Sequence, residues 1–251
     1  MSAIGSLNES PLHAALKRLA APPGSRFEVP LGGYVVDAVA GDLLIEVQTR
    51  NFGAMRTKLA ALLPEHRVRL VLPVAQTRWL VKHHPDGRVE RRRSPRAGRP
   101  QDLFAELVYG PELFAHPNLE LELALIGEEE HRRYEPGKAW RRRGWVVTGR
   151  ALVTAYERRL YREPEELLGL LPAGLPAPFT TADVAAEGRL PRRLAQQAAY
   201  CLHALGLLER VGKAGNAHLY RVAAPTGEPS ASASARSSAA RSGSTTERER
   251  R

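Results

Sequence analysis

Apolar and polar residues alternate in short blocks along the first part of the chain. A helical spacing of apolar residues, with a proline near its start, covers residues 10–20. Three strand-like runs follow at 26–29, 34–39 and 43–48, and a second helical stripe covers 51–63. This succession predicts a mixed α/β fold that begins with a helix.

Further strands and a helix follow before the pattern changes. The segment 67–74 is typical of a strand, 79–93 of a hairpin around an Asp-Gly turn, 101–108 of a helix and 119–126 of another strand. The polar stretch beyond predicts a linker, and the chain after it is mainly helical with a closing hairpin. We therefore expect four parts: a domain at 1–128, a basic linker at 129–145, a second domain at 146–222, and a disordered Ser/Ala/Arg-rich tail at 223–251.

Composition limits the class of protein. With 251 residues and 43% hydrophobic content, the chain can bury a core in one or two domains. It has no run of eighteen apolar residues and no secretory signal pattern, which predicts a cytoplasmic protein with no membrane partner. A single cysteine excludes an internal disulfide.

The chain is strongly basic, with a formal net charge of +10. Its 37 basic side chains are thirty-two arginines and five lysines. Arginine binds phosphate through two nitrogens and stacks on bases, so this bias favours a nucleic-acid partner. Arginine-rich codon usage in a GC-rich genome is the alternative explanation, and charge alone does not decide between them.

Two carboxylates interrupt the apolar runs of the second and third strands. A two-residue Gly41-Asp42 turn between these strands would place Asp37 directly opposite Glu46. Gln48 would share their face, because side chains alternate along a strand. The opposite face is expected to be apolar and to carry Val36, Ala38, Ile45 and Val47.

Opposed carboxylates in a hydrophobic sheet need a compensating group. A shared proton, a paired arginine or a divalent cation would each serve. Mg²⁺ is the economical option, because it binds one or two carboxylates together with phosphate oxygens and can activate a water.

These residues also carry a family resemblance. Asp37 on one strand, a short hairpin and Glu46-Val47-Gln48 on the next, with a helix on either side, resemble the PD-(D/E)XK nuclease superfamily of restriction endonucleases and Holliday junction resolvases. The resemblance covers residues 9 to about 75. It implies a restriction-endonuclease-like mixed sheet, with Asp37 and Glu46 as catalytic ligands of Mg²⁺ or Mn²⁺. It also implies that Glu9, at the start of the first helix, is a further metal ligand.

The sequence departs from this family at one catalytic position. Gln48 stands where the family has a lysine, and an amide hydrogen-bonds without supplying positive charge. Some family members are similar in having Gln or Glu there. Lys58 or Arg56, on the following helix, is a candidate for the missing cation.

The C-terminal helices and hairpin resemble the winged helix-turn-helix family. That resemblance implies a recognition helix beginning at Pro191 and a wing that carries Lys213. A winged helix that binds protein or dimerises is the alternative. The residues expected to reach DNA from the helix are Arg192, Arg193, Gln196, Gln197 and Tyr200.

A basic cluster around the expected linker adds a second candidate surface. Arg141, Arg142 and Arg143 lie between Trp140 and Trp145, a pattern typical of phosphate binding combined with base stacking. Solvated surface charge is the alternative.

Together these features predict a metal-dependent DNA endonuclease, a hydrolase with a place in DNA repair, recombination or defence. The first alternative is a catalytically inactive nuclease-fold protein that binds DNA or regulates transcription. The second is an assembly module whose winged helix binds protein. The expected partner is DNA, and a homodimer is left open.

Overall fold

The computed structural model describes residues 9–49 and 52–224. The N-terminal region contains the helices α1 (Pro11–Ala20) and α2 (Phe52–Leu62) and the strands β1 (Arg26–Leu31), β2 (Tyr34–Ala40), β3 (Leu43–Val47), β4 (Arg67–His83) and β5 (Val89–Arg93). The later elements are α3 (Leu103–Leu107), β6 (Leu119–Tyr134), β7 (Trp145–Tyr161), α4 (Thr181–Glu187), α5 (Arg192–Ala204), β8 (Leu208–Ala214) and β9 (Ala217–Val222). The tail predicted to be disordered lies outside the described residues from 225 onward.

One large mixed sheet organises the molecule, which confirms the mixed α/β class. Its strand order is β1-β2-β3-β4-β6-β7, and β5 pairs with the far half of β4. The pairs β3–β4 and β4–β6 are parallel, while the other pairs of this sheet are antiparallel. The strands β8 and β9 form a separate hairpin.

The predicted register of the β2–β3 hairpin is confirmed. Ala40 pairs with Leu43, Val39 with Leu44 and Ala38 with Ile45. Gly41 opens the turn at φ +62°, a left-handed conformation that glycine adopts without steric cost. The next position along this ladder is that of Asp37 and Glu46.

Helices cover both faces of the sheet. On one face, α1 buries Leu12, Leu16 and Ala20 against residues of β2, β3, β4 and β6 such as Ile45 and Ala124. On the other face, α2, α3 and α5 share one continuous core with apolar side chains of the same strands. The parallel centre of the sheet is therefore covered on both sides, as parallel strands require.

The segment expected to be a linker is part of the sheet. Residues 129–134 end β6, and β7 starts at Trp145 and pairs with β6 along its length. The prediction failed because charged residues form ion pairs on this sheet, such as Glu129 with Arg91 at 2.7 Å, instead of lying in a solvated loop. These charged residues therefore belong to paired β-strands and not to a loop.

The C-terminal elements also pack on the sheet domain. The Sγ atom of Cys201 on α5 lies 3.9 Å from the carbonyl oxygen of Phe104 on α3, and both residues are buried in the larger core. The expected boundary at 146 is wrong, since β7 belongs to the main sheet until Tyr161. Within residues 9–49 and 52–224, no helix combines the length and apolar character needed to cross a bilayer.

Candidate functional site

Three carboxylates lie at one level across the first three strands. The β1–β2 register pairs Phe27 with Ala38 and Val29 with Val36, so Glu28 lies across from Asp37. Glu46 occupies the corresponding position on β3. Glu28 has a left-handed backbone at φ +51°, which is unfavourable for a residue with a side chain. The regular ladder is therefore interrupted where the carboxylates meet.

Asp37 is held by a helix on one side and a strand on the other. Its Oδ2 atom lies 3.1 Å from Nε2 of His13 on α1 and accepts a 2.8 Å hydrogen bond from the Val47 N–H. Burial opposes ionisation of Asp37, but His13 and the Val47 N–H outweigh it and lower the pKa of the carboxyl. Asp37 is therefore a carboxylate at neutral pH.

Glu46 is more deeply buried, with a side chain only 1% exposed. Its Oε1 atom lies 2.5 Å from Nζ of Lys58, and no described group gives Oε1 a hydrogen bond of good geometry. Burial first, and then the charge of Asp37, raise the pKa of Glu46 to about 7. The Asp37 carboxylate contacts the N–H of Val47, the residue next to Glu46, so the two acidic residues are neighbours across the β2–β3 hairpin.

The first helix contributes residues that sequence analysis missed. Lys17 forms ion pairs with Glu28 and, at 2.5 Å, with Glu9, while His13 contacts both Glu9 and Asp37. Two signals were available in the sequence. Glu9, His13 and Lys17 are spaced by four, which puts them on one side of a helix start. The Gly32-Gly33 turn places Glu28 opposite Asp37 by the same arithmetic used for β2 and β3.

One predicted face assignment is wrong. Val36 was expected on the face of Ala38 and Ile45, but it packs in the other core cluster with Leu44. The interruption at Asp37 explains the difference, because an irregular residue shifts the alternation of side chains by one position.

The candidate cations on α2 have different partners. Lys58 contacts Glu46 and also donates to the Val35 carbonyl oxygen at 2.7 Å. Arg56 instead pairs with Glu112 at 2.9 Å on the surface. Gln48 is buried, and its N–H donates to the Val71 carbonyl oxygen of β4 at 2.9 Å. The structure thus brings Lys58, but not Arg56, to the carboxylates.

The residues predicted to bind nucleic acid lie on the surface elsewhere. On α5, the side chains of Arg192, Arg193, Gln196 and Tyr200 are exposed and Gln197 is partly buried. Lys213 is exposed on β8. Arg141, Arg142 and Arg143 are exposed in the turn between β6 and β7, next to Trp140. All of these are sterically available to a partner.

The carboxylate cluster is compatible with a divalent cation. Four carboxylates face two lysines and one histidine, and one oxygen of the buried Glu46 receives no hydrogen bond of good geometry from the described part of the chain. Among the described residues, no group of three or more His, Cys, Asp or Glu side chains is arranged to hold a metal ion by itself. Mg²⁺ requires less, because one or two carboxylates suffice when phosphate oxygens and waters complete its shell.

Comparison with known proteins places the chain in a family. A family model described as a domain of unknown function, DUF8091, matches residues 10–162. The chain belongs to this family. The DUF8091 match begins at α1 and ends one residue after β7, so it contains the whole large sheet and all the carboxylates of the site except Glu9.

One relative matches beyond the DUF8091 region. An uncharacterized protein of Treponema pallidum (strain Nichols) is 30% identical, with 88% of each chain covered. No solved structure gives a significant match.

Proposed function

We propose that this protein is a metal-dependent DNA endonuclease of the PD-(D/E)XK type, in which Asp37 and Glu46 hold Mg²⁺ or Mn²⁺. One observation carries the proposal. Asp37 accepts a hydrogen bond from the N–H of Val47, the residue that follows Glu46 on the adjacent strand, and Lys58 reaches Glu46 from α2 at 2.5 Å. Lys58 thereby supplies the positive charge that Gln48 lacks.

The residues of the site have distinct roles in this proposal. Asp37 stays ionised because His13 and the Val47 N–H favour its charged form. Glu46 ionises with the help of Lys58, and Glu9 is available as an outer carboxylate. Gln48 orients the attacking water by hydrogen bonding. A bound divalent cation would activate that water and neutralise charge on the phosphate.

The C-terminal elements support a DNA substrate. The helices α4 and α5 and the β8–β9 hairpin follow the helix-helix-wing order, with the basic and amide side chains of α5 exposed. We propose that this unit is a winged helix that delivers DNA through Arg192, Arg193, Gln196, Gln197 and Tyr200, with Lys213 on the wing.

A cleavage assay tests the proposal. Plasmid, forked and four-way-junction DNA are incubated with the full chain and Mg²⁺ or Mn²⁺, and the same DNA is incubated with EDTA. We expect metal-dependent cleavage that is lost in Asp37→Ala and Glu46→Ala and retained in Glu112→Ala, which changes a surface carboxylate. Cleavage that survives both site substitutions contradicts the proposal.

A second function is favoured by the ion pairs of the site. Each central carboxylate already has a basic partner, His13 for Asp37 and Lys58 for Glu46. This compensation also suits an inactive nuclease-type fold that binds DNA or regulates transcription. Salt-dependent DNA binding without cleavage would favour that function, and no binding at low salt would favour an assembly module.

A further inference from the structure

The far half of the large sheet projects beyond the hydrophobic core as a basic arm, defined here as residues 75–93 and 127–154. The buried members of the two core clusters end at Val74 on β4 and Ile126 on β6, whereas pairing continues to His83 and Arg133. The arm contains thirteen basic and six acidic side chains, more than half of the chain's formal charge.

The arm reaches far from the carboxylate site. Glu46 is in register with Leu70 on β4, and the strand continues from Leu70 to His83. At a rise of roughly 3.3 Å per residue, these thirteen steps span about 40 Å. This length is slightly more than one turn of a DNA duplex, about 34 to 36 Å.

The turn at the end of the β6–β7 hairpin contains unfavourable backbone conformations and a close side-chain contact. Ala139 and Arg143 flank a single 3-10 turn, Trp140–Arg142, with left-handed backbones at φ +47° and +51°. A Cβ atom on Gly144 would lie 2.6 Å from the Tyr134 ring, so the ring packs directly on the glycine backbone. Strained and closely packed turns of this kind persist where the surrounding structure fixes them, often at binding sites.

This turn exposes one of the three tryptophans of the arm. Trp140 is 80% exposed, with the Arg141 guanidinium 5.1 Å from its ring centroid. By contrast, Trp79 is covered by Arg91 and Trp145 contacts Lys82 and His84 within the arm. Of the three tryptophans, Trp140 is therefore the one whose ring is largely accessible from outside the arm.

The arginines and the exposed indole of the turn indicate which class of partner would bind there. No ion pair with a described residue is found for Arg141, Arg142 or Arg143, so three cations accompany one exposed indole. Cations that follow a phosphate backbone, beside an aromatic ring that stacks on bases, are the features of single-strand recognition. A regular duplex hides its base faces and cannot use the ring in this way.

We propose that the turn 137–144 binds an unpaired strand of nucleic acid, with a base stacked on Trp140 and phosphates on Arg141–Arg143. The binding site stands on the geometry of the turn alone, but what it implies about the substrate rests on the proposed nuclease function. The substrate would then be DNA that carries an unpaired segment about one helical turn away from the bond that is cut.

Binding measured without catalysis tests the inference. Fluorescence anisotropy in EDTA compares labelled oligo-dT with a duplex of equal length, using the full chain. We expect Trp140→Ala to weaken oligo-dT binding roughly 5- to 100-fold and Trp140→Phe to restore most of it. Tyr109→Ala, at a residue that is 55% exposed outside the arm, is the matched control and should bind as wild type.

A second variant tests the phosphate contacts. Replacing Arg141, Arg142 and Arg143 by glutamine should lower the slope of log affinity against log salt by about 2, since each single-strand phosphate contact contributes about 0.7. Unchanged oligo-dT binding in Trp140→Ala overturns the inference, as does an equal loss for duplex. A Trp140→Ala variant that alters only self-association identifies a protein interface and also overturns it.

The two proposals fail separately. If wild type binds oligo-dT through Trp140 but cleaves nothing, the nuclease proposal is wrong and the binding site stands. If wild type cleaves through Asp37 and Glu46 while Trp140→Ala binds normally, only the binding site is wrong.

Discussion

The carboxylate site and the basic arm both place charges on the same sheet, but they compensate them differently. In the site, the partly buried Asp37 is paired with His13 of α1 and the buried Glu46 with Lys58 of α2, and the pKa of Glu46 is raised to about 7. In the arm, glutamates of β6 pair with arginines that project from the sheet itself, and the pKa of Glu130 is lowered. The raised pKa of Glu46 leaves this carboxyl group able to bind a proton or an ion, whereas the ion-paired Glu130 stays ionised and stabilises its strand.

The largest expected effect is at Lys58. Lys58→Met keeps the aliphatic stem but removes the charge that faces the buried Glu46. We expect a loss of about 3 kcal/mol in the free energy of unfolding at pH 8 and a 10²- to 10³-fold loss of cleavage. Urea denaturation and the cleavage assay measure the two effects.

Arg56→Met is the matched control on the same helix. Arg56 and Glu112 are both more than half exposed, so their ion pair should contribute at most about 1 kcal/mol. If Lys58→Met and Arg56→Met changed the free energy of unfolding and the cleavage rate equally, Lys58 would be an ordinary surface cation. The proposed difference between the carboxylate site and the surface would then be wrong at this position.

The same contrast explains what the sequence could predict. The hairpin register around Gly41-Asp42, and with it the approach of Asp37 to Glu46, followed from turn length and strand periodicity. These are local rules with a fixed geometry. The helix cap of α4 was also predictable, since Thr180 and Asp183 form the expected capping box.

The failures concern contacts between distant segments. The ion pairs of Lys17 and His13 depend on how α1 packs across the sheet, which periodicity does not specify. The segment 129–145 predicts a linker because it is polar and charged. Its glutamates pair with arginines of other strands, such as Arg91 and Arg150, and these contacts form only when the sheet is assembled.

The next effect is a pH dependence of stability in metal-free buffer. The pKa of Glu46 is raised from 4.5 to about 7 in the folded protein, so ionisation of this group disfavours folding. Its contribution should fall by roughly 3 kcal/mol as pH rises from about 4.5 to 7 and then remain constant. His13, whose pKa is also raised, contributes in the same direction, and its contribution is lost as pH rises through its folded pKa.

Comparison of wild type with Glu46→Gln isolates this contribution. The difference between their unfolding free energies should change over that pH window and be flat above it. Added Mg²⁺ should reduce the slope for wild type, because a cation favours the ionised carboxylate. A difference that does not vary with pH would show that Glu46 ionises normally.

A smaller loss is expected from the arm at Glu130. Its carboxylate accepts from Arg132 at 2.5 Å and lies 3.5 Å from Arg150, whose Nε atom is buried with no hydrogen-bond partner among the described residues. Glu130→Gln should cost about 2 kcal/mol, since both guanidinium groups lose a charged acceptor. Its pKa is lowered, so its stabilising effect should disappear in acid and persist above pH 5, opposite in sign to Glu46.

The smallest expected effect is the coupling energy of an ion pair at the exposed edge of the arm. Arg91 on β5 contacts Glu129 at 2.7 Å and lies 3.8 Å from the centroid of the Trp79 ring, but its side chain is 44% exposed. A double-mutant cycle of Arg91→Ala and Glu129→Gln should give a coupling energy of about 0.5 kcal/mol that decreases with added salt. A coupling as large as the loss at Glu130 would mean that burial does not set the strength of these ion pairs. The difference between the ion pairs of the carboxylate site and those of the basic arm would then depend only on how many partners each charged group has.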